Sequence, residues 1–113
     1  MPGPANNSFG NIILEMVLKV TLTPASVSTV TVAEQTFTVN GLLVGDIVQV
    51  IPSFAWTGLT SIASARVTAA NTLAIAFSNS TAGSLTPPAG AYVLNVVRPT
   101  FLDGASLLPS AIV

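Results

Sequence analysis

The 113-residue chain has neither cysteine nor histidine. The first absence excludes disulfides, thiolate metal sites and cysteine nucleophiles, and says nothing further about redox compartment. Together the two remove the usual ligands of zinc, copper and non-haem iron, and they rule out Ser-His-Asp and Cys-His catalysis. Charge is scarce as well: charged residues make up 6% of the chain, where about 25% is ordinary for a soluble domain. Three basic residues spread over the whole length cannot build a patch that tracks phosphates, so no nucleic-acid partner is expected. No long uninterrupted apolar run exists either. Glu15 and Lys19 break the stretch 12–22 well short of the roughly 18 uncharged positions a spanning helix requires, so no membrane partner is expected. The opening MPGPANNSFG has no basic region followed by an apolar one, which points to assembly in a cytoplasm rather than to secretion.

What is present is apolar and small. Half the residues are hydrophobic, Ser, Thr and Asn carry most of the polarity, and the net charge of -1 supplies little repulsion between copies. Such a surface suits a protein covered by copies of itself or by a larger partner; the alternative is a monomeric β domain coated with Ser and Thr. The length suits one domain with a real core.

Along the chain, residues 1–11 read as an N-terminal arm, rich in Pro, Gly and Asn, with Phe9 as its large apolar side chain. It is either a leader without fixed structure or an arm laid along a neighbour. From Ile12 to Thr23 the even positions Leu14, Met16, Leu18, Val20 and Leu22 are apolar while polar residues stand among the odd ones, which predicts a long half-buried strand ended by Pro24. Residues 27–39 are rich in Val and Thr. Val30 and Val32 share one parity and Phe37 and Val39 the other, so two strands, or one strand bulged near Ala33-Glu34-Gln35, are expected.

Asn40-Gly41 and Val44-Gly45-Asp46 are turn signals. Residues 47–51 form a strand closed by Pro52, with apolar side chains on both faces, as in an interior strand or one covered by a partner. Residues 53–64 read as a loop that pairs briefly at 59–62. Its Trp56 is a core residue, a ligand platform or an interface anchor. Residues 65–68 and 73–77 make a hairpin, with Leu73, Ile75 and Phe77 on a large apolar face and Ala74, Ala76 and Ser78 on a small one. A Ser/Thr/Gly/Pro loop over 78–90 is a candidate exposed tip. A last strand over 91–98 presents Tyr92, Leu94 and Val96 on one side and stops at Pro99. Residues 100–113 read as a C-terminal arm that docks on a neighbour or packs back on its own domain. The whole predicts an all-β fold, a small antiparallel sandwich or barrel, jelly-roll-like, over residues 12–99 between two extended arms.

No chemistry stands out. Of the carboxylates, Glu15 lies in a strand beside Lys19, Glu34 in the expected bulge, and Asp46 and Asp103 beside glycines, where aspartate commonly bonds local backbone. A glycosidase pair or a hard-cation site can be drawn only by combining acids from unrelated segments. No S-x-x-K spacing supports a Ser-Lys hydrolase. Asn6-Asn7-Ser8 and Asn79-Ser80-Thr81 fit the glycosylation pattern as chance matches in an Asn/Ser/Thr-rich chain. The chain reads as a non-enzyme, with no catalytic residue, no cofactor and no metal.

The blocks AEQTFTV with NGLLVGDIVQV, ARVTAANTLAIAFSNSTAGSLTP and AGAYVLNVVRP, within residues 33–99, resemble a group of small structural virion proteins of tailed bacteriophages. Some of that group are head decoration (cement) proteins; others are parts of head fibres or of tail-associated chains. The resemblance implies a capsid decoration protein, a homotrimer bound to the major capsid protein on the phage head surface, which stabilises the shell through non-covalent contacts. Under it Phe9, Phe101, Leu107 and Leu108 are expected to anchor the arms on neighbouring subunits. The alternative is a head-fibre or tail-associated module whose 53–64 and 78–90 loops and Trp56 contact a host-surface glycan. On the first reading, deleting residues 100–113 leaves the β domain folded by circular dichroism and abolishes occupancy of purified heads; unchanged occupancy removes the role given to the C-terminal arm.

Overall fold

Period-two alternation carries through directly into the first element. The computed structural model, which describes residues 12–100, places a strand β1 at Ile12–Leu22, and the even-numbered side chains Leu18, Val20 and Leu22 turn inward. It is followed by β2 (Thr31–Thr38), β3 (Ile47–Pro52), β4 (Thr60–Ala69), β5 (Thr72–Asn79) and β6 (Gly90–Pro99). These six strands form two three-stranded antiparallel sheets, ordered β1-β6-β3 and β2-β5-β4, packed as a sandwich. The arms, with Phe9, Phe101, Leu107 and Leu108, lie outside the described residues.

Each sheet is organised by its central strand. On β5 the side chains of Leu73, Ile75 and Phe77 are fully buried, and on β6 those of Tyr92 and Leu94 are too, with Val96 nearly so. These six meet in one core with Leu22, Val27, Val39, Leu42 and Val67. The outer strands contribute one face each: Ala33 and Phe37 from β2, Val48 and Val50 from β3, Ile62 and Ala65 from β4. Alternation along all six strands therefore points to the same interior, and burial of that apolar area is the main source of stability.

Four elements differ from the sequence reading. β2 is a single regular strand, paired without a bulge from Thr31↔Asn79 to Thr38↔Thr72. The parity conflict is resolved before it, because Val30 takes a positive φ of 45° in a turn and Val32 faces outward. β3 is an edge strand rather than an interior one, so its outward Ile47 and Ile51 are uncovered. β4 starts at Thr60 and joins β5 through Ala70-Asn71, with Asn71 at φ 61°, a conformation Asn tolerates. The 78–90 loop is tied to the body: Leu85 bridges Val27 in both directions, at 2.7 and 3.1 Å, and Pro87 is buried.

Asn79, at the end of β5, fixes that loop. Its amide donates to the carbonyls of Val27 (3.0 Å), Ser28 (3.2 Å) and Gly83 (2.9 Å), and its Oδ1 accepts from the Thr81 N–H (2.9 Å) and hydroxyl (2.7 Å). The Asn-x-Thr pattern is thus an internal turn whose amide is buried and fully engaged. Gln35 does similar work at the other side, where its side-chain amide pairs with both backbone groups of Ala25. Asn79→Ala removes all five bonds, leaving the Ser28 carbonyl without its donor while Val27 keeps the Leu85 N–H and Gly83 the Thr81 hydroxyl, and is expected to cost roughly 2 kcal/mol, read as a lower midpoint in urea unfolding; a change below about 0.5 kcal/mol contradicts the role.

Candidate functional site: two unlike outer faces

The two sheets bury similar inner faces but present different surfaces outward. On the second sheet the outer positions are mostly small or polar: Thr36, Ala74 and Arg66 lie in one row, Glu34, Ala76 and Ser64 in the next, and Ser78 and Ser61 in a third that begins at the exposed Val32. Arg66 reaches diagonally across β5 to Glu34, with Nε–Oε2 at 2.8 Å and a second bond from its other arm at 2.9 Å. The methyl side chains of Ala74 and Ala76 leave room for that pair, and both alanines are buried. The hydrogen bonds from Arg66 hold the Glu34 carboxyl below its ordinary value; desolvation opposes this, and the charge of Arg66 adds to the lowering. The pair remains open to solvent.

The outer face of the first sheet is aliphatic. Its rows are Glu15, Val97 and Ile47; Val17, Asn95 and Gln49; and Lys19, Val93 and Ile51. Val17 is 69% exposed and Ile47 56%, and Ile51 is also exposed. Ile13, in the bulge that opens β1, adds a further exposed apolar side chain. A sheet face bearing this many branched aliphatics is what a strand covered on both sides looks like. The sequence signal was the apolar side chains on both faces of 47–51; β1 showed Val17 and Ile13 on its polar parity.

The remaining ion pair closes the β2–β3 connection onto the first sheet. Arg98, near the end of β6, clamps Asp46 with Nε–Oδ1 at 2.8 Å and a second bond to Oδ2 at 2.9 Å, and donates to the Gly41 carbonyl at 2.8 Å. Asp46 Oδ2 also accepts the Leu43 N–H at 3.0 Å, the turn role expected of an aspartate beside glycine. The Asp46 side chain is 1% exposed. Hydrogen bonding from Arg98 lowers its carboxyl below the ordinary aspartate value; burial opposes this, and the Leu43 N–H and the charge of Arg98 add to the lowering. Among the described residues no group of three or more His, Cys, Asp or Glu side chains comes together.

Trp56 packs beside the core. Its ring stacks at 6.3 Å from Phe54 and meets Tyr92 edge-on at the same distance, and its indole N–H donates to the Thr60 carbonyl at 2.6 Å. Its outer edge borders an open groove of about 280 Å³ lined also by Val50, Pro52 and Ile62. Gly90 belongs to this cluster, because a Cβ there would stand 2.8 Å from the Phe54 ring.

No family model, curated protein or solved structure matches the chain.

Because the Asp46 carboxyl is lowered in the fold, its contribution to stability is complete above the unfolded value of about 3.9 and disappears as pH falls through the folded value. Asp46→Asn is expected to cost roughly 2 kcal/mol at pH 7, and the gap between wild type and variant closes between about pH 5 and pH 2. Urea titrations of both proteins across that range check this; a constant gap contradicts it.

Proposed function

We propose that this chain is a structural virion protein, a capsid decoration protein that binds the major capsid protein and stabilises a phage head. The observation that carries the reading is the aliphatic outer face of the first sheet, with Val17, Ile47 and Ile51 exposed, opposite a second sheet whose outer face is Ser, Thr, Ala and one ion pair with Val32 at its margin. One side suits burial against a broad partner and the other suits water. Scarce charge is consistent with this use, since a covered surface has no need of repulsion for solubility. The resemblance noted above supplies the partner and the place: the major capsid protein, on the outside of the head, without cofactor, metal or catalysis. It also implies a homotrimer. The groove beside Trp56 favours the second reading, a fibre or tail-associated module that contacts host glycan through that aromatic edge.

Ile47→Asp with Ile51→Asp puts two charges on the outer face of an edge strand while leaving the core untouched. The variant is expected to melt within a few degrees of wild type and to lose occupancy of purified heads. Trp56→Ala is expected to leave occupancy unchanged. The opposite pattern, occupancy retained by the first variant and glycan binding lost by the second, selects the fibre reading.

A further inference from the structure

Of the six charged residues among those described, four are spent on Arg66–Glu34 and Arg98–Asp46. The two without an ion-pair partner among the described residues are Glu15 and Lys19. Both project from the outer face of β1, which pairs on one side with β6 and, among the described residues, forms one of the two free edges of its sheet. Their neighbours across β6 are Val97 and Val93, so nothing in the same sheet answers either charge.

Their spacing is what a two-fold axis demands. β1 has eleven residues, Ile12–Leu22, and its midpoint is Val17. Glu15 and Lys19 stand two positions to either side. We propose that β1 pairs antiparallel with β1 of a second copy of this chain about a two-fold axis at Val17. Val17 then faces its own counterpart, Glu15 faces Lys19 of the other copy, and Lys19 faces Glu15. The register uses the whole strand without overhang, and opposite charges directly across an antiparallel pair stabilise it. A slip by two residues breaks both charge pairs, setting Lys19 against Val17 or Ile13 and Glu15 against Thr21 or Val17, and a slip by four sets Lys19 against Lys19 or Glu15 against Glu15, which makes the charges a register device. On the inner face the same pairing sets Met16, which is 43% exposed, opposite Leu18 of the other copy. A cavity of about 290 Å³ bordered by Leu14, Met16 and Leu18 opens next to this edge and is covered by the same contact.

The other edges are less suited: β2 is regular but has eight residues against the eleven of β1, and its outward Glu34 is already paired with Arg66. β4 carries two register shifts, at Ile62/Ser64 and Val67/Ala69, and β3 ends in Pro52 after six residues; bulges and prolines blunt edge pairing. β1 is irregular only at its start, between Ile12 and Leu14. The product is one continuous sheet of six strands, with both aliphatic outer faces on the same side, because residues directly opposite across a pair share a face. The contact does not rest on the capsid reading, and because a three-fold homotrimer has no internal two-fold axis, the pair joins copies of different trimers where both assemblies form.

The chain's lack of cysteine makes the test direct. Full-length Val17→Cys places two sulfur-bearing residues at a Cα separation of about 4.5–5.5 Å, inside the range of about 4.4–6.8 Å that a disulfide spans. Thr21→Cys places them about 27 Å apart. Mild oxidation is expected to cross-link the first into a dimer and leave the second single. In sedimentation, Glu15→Lys is expected to weaken the wild-type dimer roughly tenfold or more by setting like charges opposite, and Glu15→Lys with Lys19→Glu to restore it. A monomeric wild type, as when residues 1–11 cover the edge, overturns the proposal. So do equal cross-linking at both positions, a trimer indifferent to Glu15→Lys, and a double variant no better than the single.

Discussion

Everything in this fold depends on two central strands facing each other across the sandwich. β5 offers Leu73, Ile75 and Phe77, and β6 offers Tyr92, Leu94 and Val96. Each of these strands is covered by two edge strands in the plane of its sheet and by the opposite sheet on its inner face. With no cysteine and few charges in the chain, close packing of these six side chains and their neighbours is the principal stabilising term. The polar side chains that are buried serve the loops around this core: Asn79 pins the 78–90 segment and Asp46 the β2–β3 connection.

That economy decides the surface. Both described arginines are consumed in intramolecular pairs, one holding a connection to β6 and one lying over the alanines of β5. The outer face of the second sheet is thereby finished as a solvated surface apart from Val32. The outer face of the first is not: Val17, Ile47 and Ile51 are left open, and the only charges there among the described residues, Glu15 and Lys19, sit on its β1 edge. The functional proposal and the two-fold contact draw on different parts of this one face, the aliphatic field and the charged margin.

Much of this architecture could be read from residue order. Strict alternation placed β1, the Leu73/Ile75/Phe77 face placed β5, and Tyr92/Leu94/Val96 placed β6, because strands with one buried face leave a period of two. The glycine-flanked Asp46 was legible as a turn residue for the same local reason. Less visible were relations between distant positions. Nothing in one sequence pairs Glu34 with Arg66 or Asp46 with Arg98, and Asn79 matched a modification pattern whose Thr81 in fact closes a turn on it. β2 misled because Val30 belongs to a turn and Val32 to the outside, so valine parity there does not report the core. The aliphatic face was visible in β3 alone; its extension across Val93, Val97 and Val17 is a consequence of register.

The central claim, that this chain coats a phage head, is tested most directly by its ratio to the major capsid protein in purified particles, measured by quantitative gel densitometry. A large, fixed fraction of the capsid protein's copy number, the same from one preparation to the next, is the predicted result. A handful of copies per particle, or none, contradicts it.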